Sequence, residues 1–259
     1  MDLNTAGVPA LMKGSPALVD VLPEMDSAAT GSLCMNCRVR SACIGGVAAA
    51  AGTTQLRSVL LGRRRLKPGE AIYHEDEHFT VLYAVRSGSL KSAARRGDGE
   101  QVLGFHLPGE VVGVDGIAHA RHAATVTALE DTDLCAIRYG AYEPTQPGSR
   151  AFFGRLWDMM SSQLVQERTH AALLAGLNAN QRVSAFLVGM SVRMRARGYS
   201  SREFHLRMSR AEIGSYLGVT METVSRTLSA LARRGVVEVQ RKYVRILDPE
   251  ALQVESEAE

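Results

Sequence analysis

The fold of the C-terminal third is decided by the stretch Met208-Ser-Arg-Ala-Glu-Ile-Gly-Ser-Tyr-Leu-Gly218-Val-Thr-Met-Glu-Thr-Val-Ser-Arg-Thr-Leu228. Ser209 and Glu212 have the spacing of a capping box, which satisfies two amide donors and starts a helix. Gly218 falls where that helix must end, in the left-handed conformation that glycine tolerates. Thr220 then caps a second helix, so the spacing predicts two short helices joined by a tight turn, a helix-turn-helix.

The second helix has an apolar and a polar face. Its apolar positions recur at helical spacing and are expected to pack on the first helix; they are Val224, Leu228 and Leu231. The polar face carries Glu222, Ser225 and Arg226 near the helix N-terminus, the end that enters the major groove in such proteins. Arg226 can grip guanine, Glu222 can accept from cytosine, and Ser225 can adapt to either. Ser209 and Thr220, which start the two helices, are also predicted to belong to the DNA-binding surface. The simpler alternative to DNA reading is a solvent-exposed polar face on which Glu222 and Arg226 pair with each other.

The surroundings of this element are basic. Residues 178–247 hold 13 Lys and Arg against 4 Asp and Glu, a balance of +9 that leaves −6 for the rest of a chain whose net charge is +3. Residues 235–246 alternate like a β-hairpin with Arg241 and Lys242 at its turn. We therefore predict a winged helix-turn-helix over 178–250 with a tail over 251–259. Such a domain binds double-stranded DNA and normally works as a symmetric dimer on a two-fold operator.

The middle of the chain predicts antiparallel β-structure. Short apolar runs, such as 80–85, 101–106 and 134–137, are separated by turn signals that include Leu107-Pro-Gly-Glu110. Regular short strands with Gly and Pro between them are typical of a sandwich or roll. We assign residues 33–147 to a cysteine loop followed by a β-roll. Residues 1–32, rich in Ala, Gly, Ser and Pro without a period, are predicted to be a flexible arm.

A long helix is predicted over 148–177, which makes the fold class α+β. Spacings of three and four alternate along one face of this helix, through Trp157, Met160, Leu164, Glu167, Ala171 and Leu174. This alternation is typical of a coiled-coil seam, so we expect these six residues to form a homodimer interface. A helix that packs on its own domain is the alternative.

Four cysteines suggest a sensor site. Cys34, Cys37 and Cys43 form Cys-x2-Cys-x5-Cys, and Cys135 lies in the strand-rich region. No secretory signal or membrane-spanning run is present, so we expect a cytoplasmic protein with reduced thiols and no membrane partner. Four thiolates can hold an iron–sulfur cluster or zinc, and a thiol switch or plain buried cysteines are further alternatives. The single Cys-x2-Cys pair and the x5 gap favour a cluster.

Two arginines flank the cysteine loop. Arg38 and Arg40 would offset the negative charge of a cluster held by four thiolates. Solvated loop arginines are the simpler interpretation.

Together these residues resemble the fumarate and nitrate reduction regulators (FNR) of the cAMP receptor protein superfamily. The resemblance runs from about Cys34 to Leu252. It rests on the cysteine pattern, on Leu82-Tyr-Ala-Val-Arg-Ser-Gly-Ser-Leu-Lys-Ser92, on Gly104-Phe-His-Leu-Pro-Gly-Glu-Val-Val-Gly-Val-Asp115 and on Glu222-Thr-Val-Ser-Arg226. It implies a jelly-roll-like β-roll sensor domain, a long dimerisation helix and a winged helix-turn-helix. It also implies that the four cysteines hold an oxygen-labile [4Fe-4S] cluster that promotes dimerisation and DNA binding without oxygen.

The resemblance further implies partners and a control point. The partners are RNA polymerase and an operator resembling TTGAT-N4-ATCAA, read by Glu222, Ser225 and Arg226. Glu167 matches an acidic position on the family's dimerisation helix, where two facing carboxylates would repel and keep the cluster-free form monomeric. The sequence departs from the family at residues 95–100, a loop about one residue shorter than in familiar members. It also departs at Arg38, where a small polar residue is common.

Other regulators remain open as alternatives. A cyclic-nucleotide sensor needs an Arg-Ser or Arg-Thr pair for the cyclic phosphate, and the matching place holds His122-Ala123, with Arg121 one position away. A thiol- or zinc-based redox regulator would contain no iron. An enzyme is not expected, because the sequence has no Walker loop, no HExxH and no convincing Ser/His/Asp set.

Overall fold

The computed structural model describes Cys34 and residues 36–46, 60–97, 99–139 and 149–257 of the 259-residue chain. The predicted arm over 1–32 lies outside these residues, as does the predicted boundary at 147–148.

Two four-stranded antiparallel sheets build the middle of the chain. Their strands are β1 Leu60–Leu66, β2 Ala71–Tyr73, β3 Val81–Ser87, β4 Leu90–Arg96, β5 Gly99–His106, β6 Val111–Val112, β7 Thr125–Ala128 and β8 Thr132–Arg138. One sheet has the order β1-β8-β3-β6 and the other β2-β7-β4-β5. Val85, Leu90 and Leu134 are completely buried in the core shared by the strands. This confirms the predicted antiparallel β-roll.

Helix α1, Ser149–Gly176, confirms the long helix. Its first turns pack on the β-roll, where Phe152 and Leu156 join Leu82 and Ile137 in one apolar cluster. Beyond them the apolar seam is largely uncovered in the single chain, since Trp157 is 67% exposed. Within the part of the chain that is described, no helix combines the length and apolarity needed to cross a membrane.

The four predicted seam residues that follow Met160 continue this pattern. Leu164, Glu167 and Ala171 are exposed, whereas Leu174 is half-buried. Met160 itself is half-buried because it touches the cluster around Phe152. Four of the six predicted seam residues are therefore exposed in the single chain.

The C-terminal domain surrounds a helix-turn-helix. Its elements are α2 Ala179–Ala196, β9 Glu203–His205, α3 Arg210–Leu217, α4 Met221–Arg233, β10 Val237–Gln240, β11 Tyr243–Ile246 and α5 Pro249–Ser256. The strands form an antiparallel sheet in the order β10-β11-β9, in which β10 and β11 are the predicted wing hairpin and β9 is an additional strand. Leu187, Leu217 and Val224 are completely buried at the centre of this domain.

Helix α5 corrects the prediction of a tail over 251–259. Asp248 caps the helix by accepting a hydrogen bond from the Ala251 amide at 2.9 Å, and Pro249 occupies its first turn. Leu252 is 1% exposed and belongs to the C-terminal core. A helix of 8 residues with one buried apolar anchor gives too weak a periodic pattern to be recognised from the sequence.

Glu110 holds the C-terminal domain against the β-roll. Its carboxylate accepts hydrogen bonds from Arg193 Nη2 at 3.0 Å and from Arg197 Nη2, both from the C-terminal end of α2. Burial by itself would raise the pKa of Glu110, but the two guanidinium groups outweigh it and hold the pKa below its ordinary value of 4.5. The carboxylate is therefore charged, paired and enclosed between the two domains.

Replacing Glu110 with Gln is expected to lower the free energy of unfolding at pH 7 by about 2–3 kcal/mol, because two half-buried cations lose their charged partner. Since the folded-state pKa lies below the unfolded value, the carboxylate stabilises the fold above about pH 4.5, and this contribution disappears as the pH falls through the folded pKa. The difference in the free energy of unfolding between wild type and Glu110→Gln, measured by denaturant unfolding, should therefore become smaller from pH 7 to pH 3.

The control for this experiment is Glu130→Gln. Glu130 pairs with Arg207 Nε at 3.0 Å, also across the two domains, but both side chains are partly exposed. Loss of this ion pair should lower the free energy of unfolding by about 1 kcal/mol or less. Equal losses in the two variants at every pH would contradict the role given to Glu110.

Candidate DNA-binding surface and cysteine centre

The caps that define the helix-turn-helix are formed as predicted. The Ser209 amide donates to Glu212 Oε2 at 2.7 Å, and the Glu212 amide donates to Ser209 Oγ at 3.2 Å. Gly218 ends α3 with φ 63°, in the left-handed region. Thr220 Oγ1 accepts from the Thr223 amide at 3.2 Å and starts α4. The turn is therefore fixed by local hydrogen bonds and one glycine.

Helix α4 buries one face and exposes the other. Its buried face packs in the same core as Ile213 and Leu217 and consists of Val224, Leu228 and Leu231. Glu222, Ser225 and Arg226 are on the opposite, solvent-facing side. Arg226 Nη2 donates to Thr223 Oγ1 at 3.3 Å. The ion pairs of the described residues include none between Glu222 and Arg226, so both side chains are available to a partner.

The exposed face of α4 lies along an open groove. The groove is lined by Ser225, Arg226, Ser229 and Arg233 of α4 and by Asn180 of α2. Serine hydroxyls beside two arginines supply donors for phosphates and base edges.

The wing turn is basic, as predicted. Arg241 has φ 55° at the turn between β10 and β11, and its carbonyl accepts from Arg210 Nη2 at 3.0 Å. Lys242 Nζ donates to the Arg207 carbonyl at 2.7 Å. The turn is therefore anchored to Arg207 and to Arg210, the first residue of α3, with the exposed Arg241 at its tip.

The four cysteines face one pocket between the loop at residues 34–46 and the β-roll. Cys34, Cys37, Cys43 and Cys135 all line it, together with an apolar wall formed by Leu60, Ala84, Val85 and Ile137. All four cysteines are free, and Cys34 and Cys43 are buried. The fold thus brings the distant Cys135 to the three loop cysteines, as the resemblance implies.

Backbone geometry sets the positions of these thiols. Cys135 lies in β8, opposite Ala84 of β3. The loop folds through tight turns, in which the Cys43 amide donates to the Val39 carbonyl at 2.8 Å. A Cβ on Gly45 would lie 3.4 Å from Cys34 Sγ and 3.9 Å from Cys43 Sγ. The glycine therefore leaves space beside two of the sulfurs.

Burial and mutual repulsion favour the protonated form of Cys34, Cys43 and Cys135. Burial, followed by repulsion from the other thiolates, raises the pKa of Cys34 to about 11 and that of Cys135 to about 12. The Arg86 guanidinium opposes both shifts. Burial also raises the pKa of Cys43, and the guanidinium group of Arg155 in α1 opposes that shift. A bound cation would supply the positive charge that these thiolates need.

The predicted arginines lie near the thiols only in part. Arg40 lines the pocket, but Arg38 does not. Arg86 and Arg155, which were not predicted, lower the pKa of individual thiols, and Arg155 Nη2 also donates to the Ala42 carbonyl at 2.6 Å. In the described residues, no three His, Cys, Asp or Glu side chains are close enough together to bind a single metal ion.

Two family models match the chain. The Crp-like helix-turn-helix domain matches residues 181–254, and the cyclic nucleotide-binding domain matches residues 63–144. Transcriptional regulatory protein btr of Bordetella pertussis is 38% identical over 219 residues, which cover 83% of this chain and 89% of that protein. The fumarate and nitrate reduction regulatory protein of Yersinia pestis is 33% identical over 220 residues, 85% of this chain and 88% of that one.

The chain belongs to the FNR family. It is therefore a DNA-binding transcription regulator and not an enzyme, and regulators of the CRP/FNR superfamily are dimers. The anaerobic regulatory protein of Haemophilus influenzae is 33% identical over 216 residues, 83% of this chain and 84% of that relative. The solved structure of FixK2 from Bradyrhizobium japonicum has a TM-score of 0.69 at 30% identity, covering 76% of this chain and 98% of that one.

In this FNR-family chain, a cavity beside the β-roll is lined by carboxylates. A cavity of about 630 Å³ lies between the β-roll and α1, and Asp115 and Glu167 are on its wall. Burial would raise the pKa of Asp115, but the neighbouring His122, whose Nδ1 is 3.6 Å from Asp115 Oδ1, and the hydrogen bond from the Ala123 amide lower it. His122 is buried and stacks on Tyr73 with ring centroids 3.5 Å apart. No Arg or Lys is among the described residues that line the cavity.

Arg86 and Arg155 of the FNR-family chain were missed by the reasoning from sequence. Arg86 does lie inside the Leu82–Ser92 stretch that carries the resemblance, so its position could have drawn attention. Arg155 had no such signal, because only the packing of α1 on the β-roll brings it to Ala42.

Proposed function

We propose that this regulator responds to oxygen through a [4Fe-4S] cluster held by Cys34, Cys37, Cys43 and Cys135. The observation that carries the proposal is the convergence of these four free cysteines on one pocket of the β-roll domain. Relatives named for anaerobic regulation and for fumarate and nitrate reduction support the same function.

The chemistry of the pocket suits such a group. Four thiols are the usual ligands of a [4Fe-4S] cluster, and the apolar wall limits access of water. Four thiolates with a cluster core carry a net charge of about −2, which the nearby guanidinium groups of Arg86 and Arg155 offset. When bound, the cluster supplies the oxygen-reactive chemistry. The protein supplies the ligands, the charge balance and the contacts that transmit the state of the centre.

Dimerisation is the proposed output of the sensor. The seam on α1 is largely uncovered in one chain, with Trp157 67% and Leu164 53% exposed, so a second copy is the occupant that it fits. The two recognition helices would then meet an operator resembling TTGAT-N4-ATCAA through Glu222, Ser225 and Arg226. RNA polymerase is the further partner, and the cytoplasm is the compartment in which these partners occur.

Anaerobic purification tests the proposed cofactor. A brown protein with a broad absorbance at about 400 nm, containing iron and acid-labile sulfide, would support the cluster. A colourless protein containing one zinc would instead favour the zinc-based alternative. A colourless, metal-free protein whose DNA binding responds to a thiol oxidant would favour a thiol switch.

Glu167 is the proposed control point of the dimer. Its side chain is exposed at the middle of the seam, where a symmetric dimer brings two carboxylates together. We expect Glu167→Ala to form a dimer that persists in air, which sedimentation velocity can detect. The control is Gln166→Ala, at the neighbouring exposed position off the seam, which should sediment like wild type. An unchanged distribution in Glu167→Ala would show that Glu167 does not have this role.

The match to a cyclic nucleotide-binding domain motivates one further test. The charged Asp115 on the cavity wall and the lack of a lining cation in the described residues disfavour a cyclic phosphate. Saturating cyclic AMP should therefore leave the DNA affinity unchanged. Tighter DNA binding with cyclic AMP would support the nucleotide-responsive alternative.

A further inference from the structure

The cysteine loop rests on the turn that holds the DNA-binding domain. This turn, Leu107–Glu110, follows β5 and contains Gly109 with φ 92°. A Cβ on Gly109 would lie only 3.0 Å from the Ala42 Cβ and 3.9 Å from the Val39 Cβ. The loop segment directly before Cys43 is therefore in van der Waals contact with the turn.

The fourth cysteine reaches the same turn through the sheet. Cys135 lies opposite Ala84 in the pairing of β8 with β3. The next residue of β3, Val85, donates its amide to the Glu110 carbonyl at 2.9 Å and accepts from the Gly109 amide at 2.8 Å. The cysteine loop therefore contacts the turn directly, and Cys135 is connected to it through the neighbouring strand β3.

The other side of the turn holds α2. Arg193 Nη2 donates to Glu110 and to the Phe105 carbonyl at 2.5 Å, and Arg197 Nε donates to the Pro108 carbonyl at 2.8 Å. Helix α2 is joined in turn to the recognition helix, where Thr227 Oγ1 donates to Asn180 Oδ1 at 2.6 Å. These contacts form one continuous packed path from the cysteine loop to α4.

We propose that Glu110 is the positioning residue through which the state of the cysteine centre sets the orientation of the DNA-binding domain within a single protomer. This route shares Ala42 with Arg155 of α1 but then leaves the dimerisation helix, because the turn and α2 lie off the seam of α1. The inference rests on the proposed function of the four cysteines as the sensor. Close-packed contacts transmit a displacement of the loop instead of absorbing it, so movement of Ala42 displaces the turn and with it Glu110.

The test compares Glu110→Gln with Glu130→Gln in anaerobic full-length protein. Glu130→Gln removes an ion pair to Arg207 that also joins the two domains, and the side-chain partners of Glu130 are Arg207 and Ser89, both outside the turn. We expect Glu110→Gln to keep the absorbance at about 400 nm and the sedimentation coefficient of wild type, yet to bind operator DNA about tenfold more weakly, a usual size for coupling between sites. Glu130→Gln should bind DNA like wild type, and Glu110→Asp should recover part of the loss.

Amide hydrogen exchange separates positioning from general stability. In wild type, exposure to air should increase exchange in the last turn of α2, at residues 193–197, whereas in Glu110→Gln this exchange should be raised already and no longer respond to air. If Glu110→Gln does not fold, Arg197→Lys, which keeps the charge and shortens the reach, is measured instead. If wild type is brown but the Glu110 and Arg197 variants keep the DNA affinity and the amide exchange of wild type, this inference is overturned while the proposed function stands. A colourless wild type would overturn the proposed function, whatever Glu110 does to DNA affinity.

Discussion

Alanine in place of Arg226 is expected to abolish sequence-specific DNA binding while leaving the fold intact. Arg226 is exposed near the start of α4, and its side chain makes a local hydrogen bond to Thr223. A bidentate arginine–guanine pair contributes about 1–3 kcal/mol of discrimination, so two half-sites of a dimer would lose about 2–6 kcal/mol. Fluorescence anisotropy at one fixed salt concentration, with operator and scrambled duplexes, measures this loss.

The matched control is Arg233→Ala, at the other end of the same helix and groove. An arginine that contacts only phosphate weakens binding to every sequence about equally and lowers the salt dependence. Arg226→Ala should instead erase the preference for the operator. Equal weakening on both duplexes in the Arg226 variant would contradict base reading by this side chain.

Replacing Cys135 with Ser is expected to abolish both the cluster and anaerobic DNA binding. Cys135 is fixed by β8, so a loop holding three cysteines cannot replace its thiol by rearranging. The variant should lack absorbance at about 400 nm, sediment as a monomer and bind operator no better than air-treated wild type. Thr132→Ser, a buried conservative change in the same strand, should behave like wild type. Retained iron and anaerobic DNA binding in Cys135→Ser would exclude Cys135 as a ligand.

The helix-turn-helix could be predicted closely because its signals are local. Ser209, Glu212, Gly218 and Thr220 act within one or two turns of their own positions, and each takes the predicted role. The short strands of the β-roll were also recognisable, but the pairing of β8 with β1 and β3 was not. Strand pairing depends on residues far apart in the sequence, and no local pattern encodes it.

The cysteine centre shows where prediction from sequence ends. Spacing linked the three loop cysteines, whereas the place of Cys135 beside them depends on its register opposite Ala84 and came from the family resemblance. The arginines that act on the thiols were chosen by proximity in sequence, which gave Arg38 and Arg40. Arg155 reaches the loop only through tertiary packing. Helix α5 was missed because eight residues give too short a pattern.

The contacts of Glu110 could likewise not be predicted from the sequence. The stretch that contains Glu110 carried the family resemblance, but its pairing with Arg193 and Arg197 joins two domains across more than eighty positions. A buried carboxylate with two cations is costly unless the geometry is complete, which makes this junction sensitive to small displacements. That sensitivity suits a residue between a sensor and a DNA-binding domain.

The central claim is that one four-cysteine centre controls DNA binding in response to oxygen. Its most direct test follows absorbance at about 400 nm and operator affinity in the same anaerobic sample while air is admitted. We predict that the absorbance bleaches and that operator affinity falls with the same time course. Operator affinity that stays constant while the absorbance bleaches, or anaerobic protein that binds operator tightly without any such absorbance, would contradict the account.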